Sequence, residues 1–374
     1  MTANALSTKV AVKKIRSGED LYQASQWTLM FWKLRRHKMA ITGGIVLVVF
    51  YLSAIFAPII APYNGDRRSE FLFLPPQTIH WIDKGTFHPY IYGIDKSRNT
   101  ETLALEFKEN KDEITLLRLF VHDDKYKLWG FIPMDLHLFG AEGGKQIFLF
   151  GTDNLGRDLF SRTVLAAMVS LSIGLLGVAV SFILGVIIGG ISGYFGGQVD
   201  TIIQQVILFL ISMPQIPIWM GLSAAIPGNW PPVKTYFALT VVLSVIGWTG
   251  LARVVRGRIL QVREETFVTA ARLSGASNAS IIRKHLIPAT ASYLIVNITL
   301  AVPGMILGET TLSFLGLGLA EPAISWGVLL QNAQNVRTIV LSPWLMIPGL
   351  FVILTTLAFS FLGDGLRDAA DPYA

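Results

Sequence analysis

Six long stretches of this chain are almost free of Asp, Glu, Lys and Arg: Met39 to Gly65, Thr163 to Val199, Thr201 to Val233, Thr235 to Ala252, Tyr293 to Leu319 (interrupted by Glu309) and Thr338 to Gly363. A hydrocarbon layer about 30 Å thick takes roughly 20 apolar residues in a helix. Inside that layer no water satisfies backbone N–H and C=O groups, so such stretches fold as spanning helices. The composition agrees, with 15% charged residues and a mean hydropathy of +0.52, against about 25% charged in soluble domains. The sequence predicts an all-α polytopic membrane protein of six transmembrane helices, with a small β-rich extracytoplasmic insertion domain between helices 1 and 2.

Lys and Arg in short flanks set the orientation. Lys33, Arg35, Arg36 and Lys38 directly precede the first stretch, and Arg253 to Lys284 is equally basic, whereas the short loops around Lys234 and Arg337 are not. Both termini are therefore expected in the cytoplasm of a multi-pass protein. The predicted layout is a cytoplasmic tail (1–38), a first helix (39–62), an extracytoplasmic insertion (63–162), a five-helix core (163–363) containing a cytoplasmic loop (253–290), and a cytoplasmic C-terminal tail (364–374). Residues 1 to about 25 read as a loose tail or surface helix. The first stretch is too long for a cleaved signal sequence and lacks a small-residue cleavage site. In the insertion, Glu113 to Val121 and Lys127 to Ile132 read as short strands around an Asp123-Asp124 turn.

Several function classes drop out. The net charge of +6 is not gathered on one face, so no nucleic-acid partner is expected. Without cysteine there is no disulfide framework, thiolate metal site or cysteine nucleophile. The only Gly-Lys pair, Gly144-Lys145, is followed by Gln146 and so does not form a phosphate-binding loop. His80, His88, His122 and His137 lack metal-pair spacing, and no metal site is expected. Any ATP must be used by a partner.

The basic loop carries the most specific pattern. Thr269-Ala270-Ala271-Arg272-Leu273-Ser274-Gly275-Ala276-Ser277 is followed by His285-Leu286-Ile287-Pro288. It reads as two short helices about a glycine. The alanines remove bulk from one face, Gly275 permits a positive φ, and Pro288 stops the second helix. By composition alone it is equally an ordinary positive-inside loop. The spacing Ala-Ala-x3-Gly-x9-His-x-Ile-Pro resembles the EAA loop of ABC importer permeases, with Thr269 in place of the glutamate and His285 and Ile287 in place of Ile and Leu. Gly151-Thr152-Asp153-Asn154-Leu155-Gly156-Arg157-Asp158 is similar to a segment of C-type permeases of the oligopeptide, dipeptide and nickel importer family. So are Gly193 to Asp200, Glu309 to Gly318 and Leu362 to Pro372.

That resemblance implies a transmembrane permease subunit forming half of the translocation pathway of an importer in the bacterial inner membrane. It implies a heterodimer with a second homologous permease, two ABC ATPase subunits that bind ATP and Mg, and an extracytoplasmic solute-binding protein. This chain would bind no cofactor and catalyse nothing. Thr269, Ala270, Ala271, Gly275, Ala276, Ser277 and Pro288 would couple it to the ATPase. The insertion is longer than the family's usual segment and resembles that of oligosaccharide importers, notably α-galactoside systems, leaving oligopeptides and oligosaccharides as substrate classes. The rival reading is a stand-alone membrane sensor or channel with an extracytoplasmic ligand domain.

Two polar features complete the reading. Asp153, Arg157, Asp158 and Arg162 alternate in sign where the insertion meets the second helix. They form either an ion-pair network anchoring the insertion or a contact for the binding protein or outer gate. Glu309 sits inside a span, where a charge costs roughly 2.5–3.5 kcal/mol on insertion scales. A packing role is favoured there over lining the pathway, and a proton relay lacks a second intramembrane acid or histidine.

Overall fold

The structure is a computed structural model and describes residues 26–83, 86–98 and 105–370. The reading of residues 1 to 25 as a tail lies outside the described residues. A short helix α1 (Gln26–Leu34) leads into α2 (Lys38–Ile55). A four-stranded antiparallel sheet in the order β1 (His80–Asp83), β2 (Thr86–Arg98), β3 (Leu105–Leu128), β4 (Ile132–Ala141) follows. Then come α3 (Leu159–Phe195), α4 (Gly197–Ser212), α5 (Gln215–Ala224), α6 (Pro232–Val262), α7 (Thr266–Leu273), α8 (Ala291–Phe314), α9 (Trp326–Gln331) and α10 (Ile347–Ala370).

Among the described residues, five helices are long and apolar enough to cross a membrane, and six if α4 and α5, bent by 86°, form one broken span. The bend falls at Met213-Pro214, where proline disfavours a helical conformation in the residue before it. Three predicted boundaries move. The first helix ends at Ile55 because Pro58 and Pro62 follow, with only a one-turn helix, Ala57–Ile60, around Pro58. The fourth, expected to end at Ala252, continues to Val262. The last begins at Ile347 and stays helical to Ala370, so most of the expected C-terminal tail is helix.

The helices meet in one large core, with Leu171, Trp219, Leu243, Ile306, Trp326 and Phe359 packed together. Apolar residues also cover much of the outer surface, including Ile183, Ile187, Ile202 and Phe209, as expected where the solvent is lipid. A second cluster, of Val186, Val255, Ile259, Val268, Ile281 and Leu286, holds the basic loop against α3 and α6.

The sheet corrects one expectation. Asp123 and Asp124 do not turn the chain, for β3 passes straight through them with a bulge between His122 and Tyr126. Their carboxylates face the start of the insertion instead, Asp123 accepting from Arg67 at 2.9 Å and Asp124 from the Asn64 N–H at 3.0 Å. The reversal falls at Trp129-Gly130, both with positive φ. The segment after α2 is clamped between sheet and bundle: Tyr63 takes the Ile147 N–H on its hydroxyl at 2.8 Å and donates its own N–H to Ser161 Oγ at 3.2 Å.

Candidate functional site

The Ala271-x3-Gly275 spacing is the spacing of a helix stop. The Ala276 N–H reaches Ala271 O at 3.1 Å and the Gly275 N–H reaches Arg272 O at 3.1 Å, the paired bonds that close a helix through a left-handed residue. Gly275 has φ +80° with nothing near a would-be Cβ, so it is the backbone angle that requires glycine. Ser277 then caps the next helical turn, accepting from the Ser280 N–H at 3.4 Å.

The two alanines do not share a face. Ala271 and Ala276 pack inward on the second core cluster, while Thr269, Ala270, Gly275 and Ser277 are exposed. Successive helical residues are separated by about 100°, which forces this split. Val268 is fully buried and pins α7 down, leaving Phe267 at 43% and Leu273 at 84% exposure. Pro288 does not stop the helix as expected. A π turn over Ile282–Leu286 carries the chain past it, with the Ile287 N–H on Ile282 O, and the break comes at Thr290. Widening the helix by one residue per turn accommodates the ring that a regular α-helix would exclude.

The elbow between α3 and α4 receives this loop. Tyr194 hydroxyl donates to Asn278 Oδ1 at 2.8 Å, and the Arg272 guanidinium lies over the Tyr194 ring at 5.9 Å. Asp200, at the start of α4, takes a two-pronged contact from Arg256 of α6, both arms at 2.5 Å, and one from Ser192. Arg263 donates to Gly193 O at 3.2 Å. Sequence reading picked out the Gly193 to Asp200 stretch but not these partners, because Asp200 and Arg256 are 56 positions apart, with α5 between them.

Asp153, Arg157, Asp158 and Arg162 are all buried, and Asp153, Arg157 and Arg162 come together. Arg157 Nε donates to Asp153 at 2.7 Å, and its two terminal nitrogens donate to Glu321 at 3.0 and 2.7 Å. Arg162 joins Glu321 at 2.9 Å. Glu321, in the loop after α8, was missed: the four residues balance in charge locally, so nothing in the sequence demanded a remote acid. Burial works against the Arg157 cation, but Glu321 and Asp153 outweigh it and hold its pKa above the ordinary value. Arg157 keeps the Glu321 carboxyl below the usual range. Asp158 is separate: it caps α3 through Ser161, and burial pushes its carboxyl up to about 6 against the hydrogen bonds from Ser161. Gly151 and Gly156 both take positive φ where the chain presses against Leu74 O and Ser69 O, so the two glycines of this motif fit it against residues 69–74.

Glu309 is fully buried in α8. Ser313 and Ser325 donate to one carboxylate oxygen at 2.8 and 2.7 Å, and Ser170 of α3 to the other at 3.4 Å. Ser325 also caps α9, and Ser170 accepts the Trp326 N–H at 3.0 Å. The carboxylate therefore ties α3, α8 and α9 together.

Comparison with known proteins follows the same parts of the chain. Residues 181–373 match the family model described as the binding-protein-dependent transport system inner membrane component. Residues 25–76 match the N-terminal transmembrane domain of oligopeptide transport permease C. The chain is 43% identical over 365 residues to the dipeptide transport system permease protein of Bacillus subtilis, covering 96% of this chain and 90% of that one. It is 42% identical over 224 residues to the oligopeptide transport system permease protein of Haemophilus influenzae, covering 60% and 70%. Among solved structures, the methionine ABC transporter MetNI in inward-facing form aligns at 17% identity and a TM-score of 0.45, covering 56% of this chain and 97% of that one.

Proposed function

Because this chain belongs to the family of binding-protein-dependent transport system inner membrane components, and is thus a multi-pass permease subunit of an ABC importer in the inner membrane, we propose that its α7 knob is the element through which ATPase closure moves it. Membership sets aside the stand-alone sensor or channel. The observation that supports the knob is Leu273, a large apolar side chain at 84% exposure on a helix pinned from below by Val268. Such a side chain, beside exposed Phe267 and Ala270, suits a groove on a partner. The partners in this reading are two ATPase subunits that hold ATP and Mg, a second homologous permease and an external binding protein. Closure reaches the bundle by two routes: the covalent one into α6 and α8, and the elbow contacts of Tyr194 and Asp200. A partner can move this chain only through contacts that differ between its two states, which favours a stiff knob.

We assign peptides as the substrate class. The relative of Bacillus subtilis aligns over 96% of this chain, a span that includes the long insertion, so that segment gives no reason to prefer sugars. Asp153, Arg157 and Arg162 are read as anchoring the insertion and Glu309 as fixing helix packing. The basic flank before α2 supports reading the sheet as lying outside the cytoplasm, with both termini inside.

Gly275→Val is expected to uncouple uptake from ATP hydrolysis, because a β-branched residue at φ +80° costs about 1–2 kcal/mol or more and tilts the knob. Gly275→Asn, which tolerates that region, should retain most coupling. Uptake and substrate-stimulated ATPase in the reconstituted complex measure this, and normal values for the valine variant would remove the coupling role. For topology, a single cysteine at exposed Lys111 should react with a membrane-impermeant thiol reagent in spheroplasts. Reaction only after lysis would place the sheet in the cytoplasm.

A further inference from the structure

The β3–β4 turn is an apolar protrusion at the end of a membrane helix. Trp129 is 49% and Phe131 70% exposed, with their rings 6.2 Å apart. The Trp129 indole N–H donates to Ile55 O at 3.1 Å, and its ring lies 6.3 Å from Phe56. Ile55 is the last residue of α2. The indole thus satisfies one of the carbonyls that a helix end leaves unpaired.

The position of Ile55 along the membrane normal follows from α2 itself. Its 18 residues span about 27 Å at about 1.5 Å per residue, close to the roughly 30 Å of hydrocarbon. It starts at Lys38, directly after Lys33, Arg35 and Arg36, which belong at one interface. Ile55 therefore lies at the opposite interface. Ile45, Val48, Val49, Leu52 and Ile55 are exposed along one side of α2, and Trp129, itself next to Phe131, meets the end of that side at Ile55 and Phe56. Lys125 and Lys127 are exposed on the same strand just before the turn, where long stems can lie along apolar surface with the ammonium in water.

We infer that the Trp129-Gly130-Phe131 turn is a lipid anchor: it inserts into the headgroup boundary of the leaflet opposite the basic flank and holds the sheet domain to the bilayer beside α2. Continuity with the lipid-facing stripe identifies the occupant as the bilayer. Tryptophan at this depth has its apolar body and its polar N–H both satisfied. The consequence is that the sheet moves with α2 and the membrane plane, presenting its remaining edge and faces at a fixed height.

The natural absence of cysteine makes the test direct. A spin label on Phe131→Cys is compared in the assembled, liposome-reconstituted complex with labels on Ile45→Cys and Lys111→Cys, exposed cysteines of the other subunits having been replaced. Collision rates with oxygen and with a water-soluble nickel chelate are read for each. Phe131 is exposed, so a label there displaces no core. The expected result is high oxygen and several-fold lower nickel accessibility than at Lys111, approaching Ile45. Nickel accessibility equal to that of Lys111 would put the turn in water and overturn the proposal. Low accessibility to both probes would place another protein chain over it and overturn it equally.

Discussion

Arg157→Ala is expected to destabilise the chain by about 3–5 kcal/mol, the cost typical of removing one partner from a buried ion pair. Among the described residues, Arg157 is the only one whose side chain touches both Asp153 and Glu321 at 3.0 Å or less. Without it the Asp153 carboxylate remains buried with backbone N–H groups of Leu155 and residue 157 and a long 3.7 Å contact to Arg162. Arg157→Lys should recover little of the loss, since one ammonium cannot reproduce a fork to Glu321 together with the Nε bond to Asp153. Thermal unfolding of the purified complex measures both variants. If Arg157→Ala melts with the parent protein, the cluster is not what fastens the base of the insertion to the loop after α8.

Glu309→Ala and Glu309→Gln should separate widely. Alanine leaves the Ser313 and Ser325 hydroxyls without their acceptor and opens a void among α3, α8 and α9. Each buried donor left unmatched costs about 1–3 kcal/mol, while interhelical hydrogen bonds in membrane proteins average nearer 0.6 kcal/mol, so a total of about 2–4 kcal/mol is expected. Glutamine keeps the shape and an oxygen that both serines can reach, and should stay within about 1 kcal/mol with uptake retained. A glutamine variant that is stable but inactive in transport would show that the charge itself is used, and would defeat the packing assignment.

Much of the site was legible because it is local. The distance from Ala271 to Gly275 is the span of one helix stop, and the positive φ expected at Gly275 is set within a few residues. The same logic failed wherever a local pattern had two solutions. Asp123-Asp124 looks like a turn, yet the carboxylates are consumed by Arg67 and Asn64, roughly sixty residues back in the chain, so the strand runs on. Pro288 looks like a terminator, yet a π turn absorbs it. Ala270 and Ala271 look like one smooth face, and the helix twist divides them.

By itself, the sequence determined that this chain lives in a bilayer, since runs of apolar residues longer than a hydrocarbon core leave no other solvent for them, and it determined where the helix carrying the knob must stop. Only the tertiary structure decided which charges pair. Glu321 lies more than 150 positions from Arg157 and Arg162, and Asp200 is 56 positions from Arg256, across the bend between α4 and α5. Coulomb attraction inside a low-dielectric protein acts between whichever charges the helices bring within a few ångströms, and that proximity is a property of packing, which no local pattern of residues encodes.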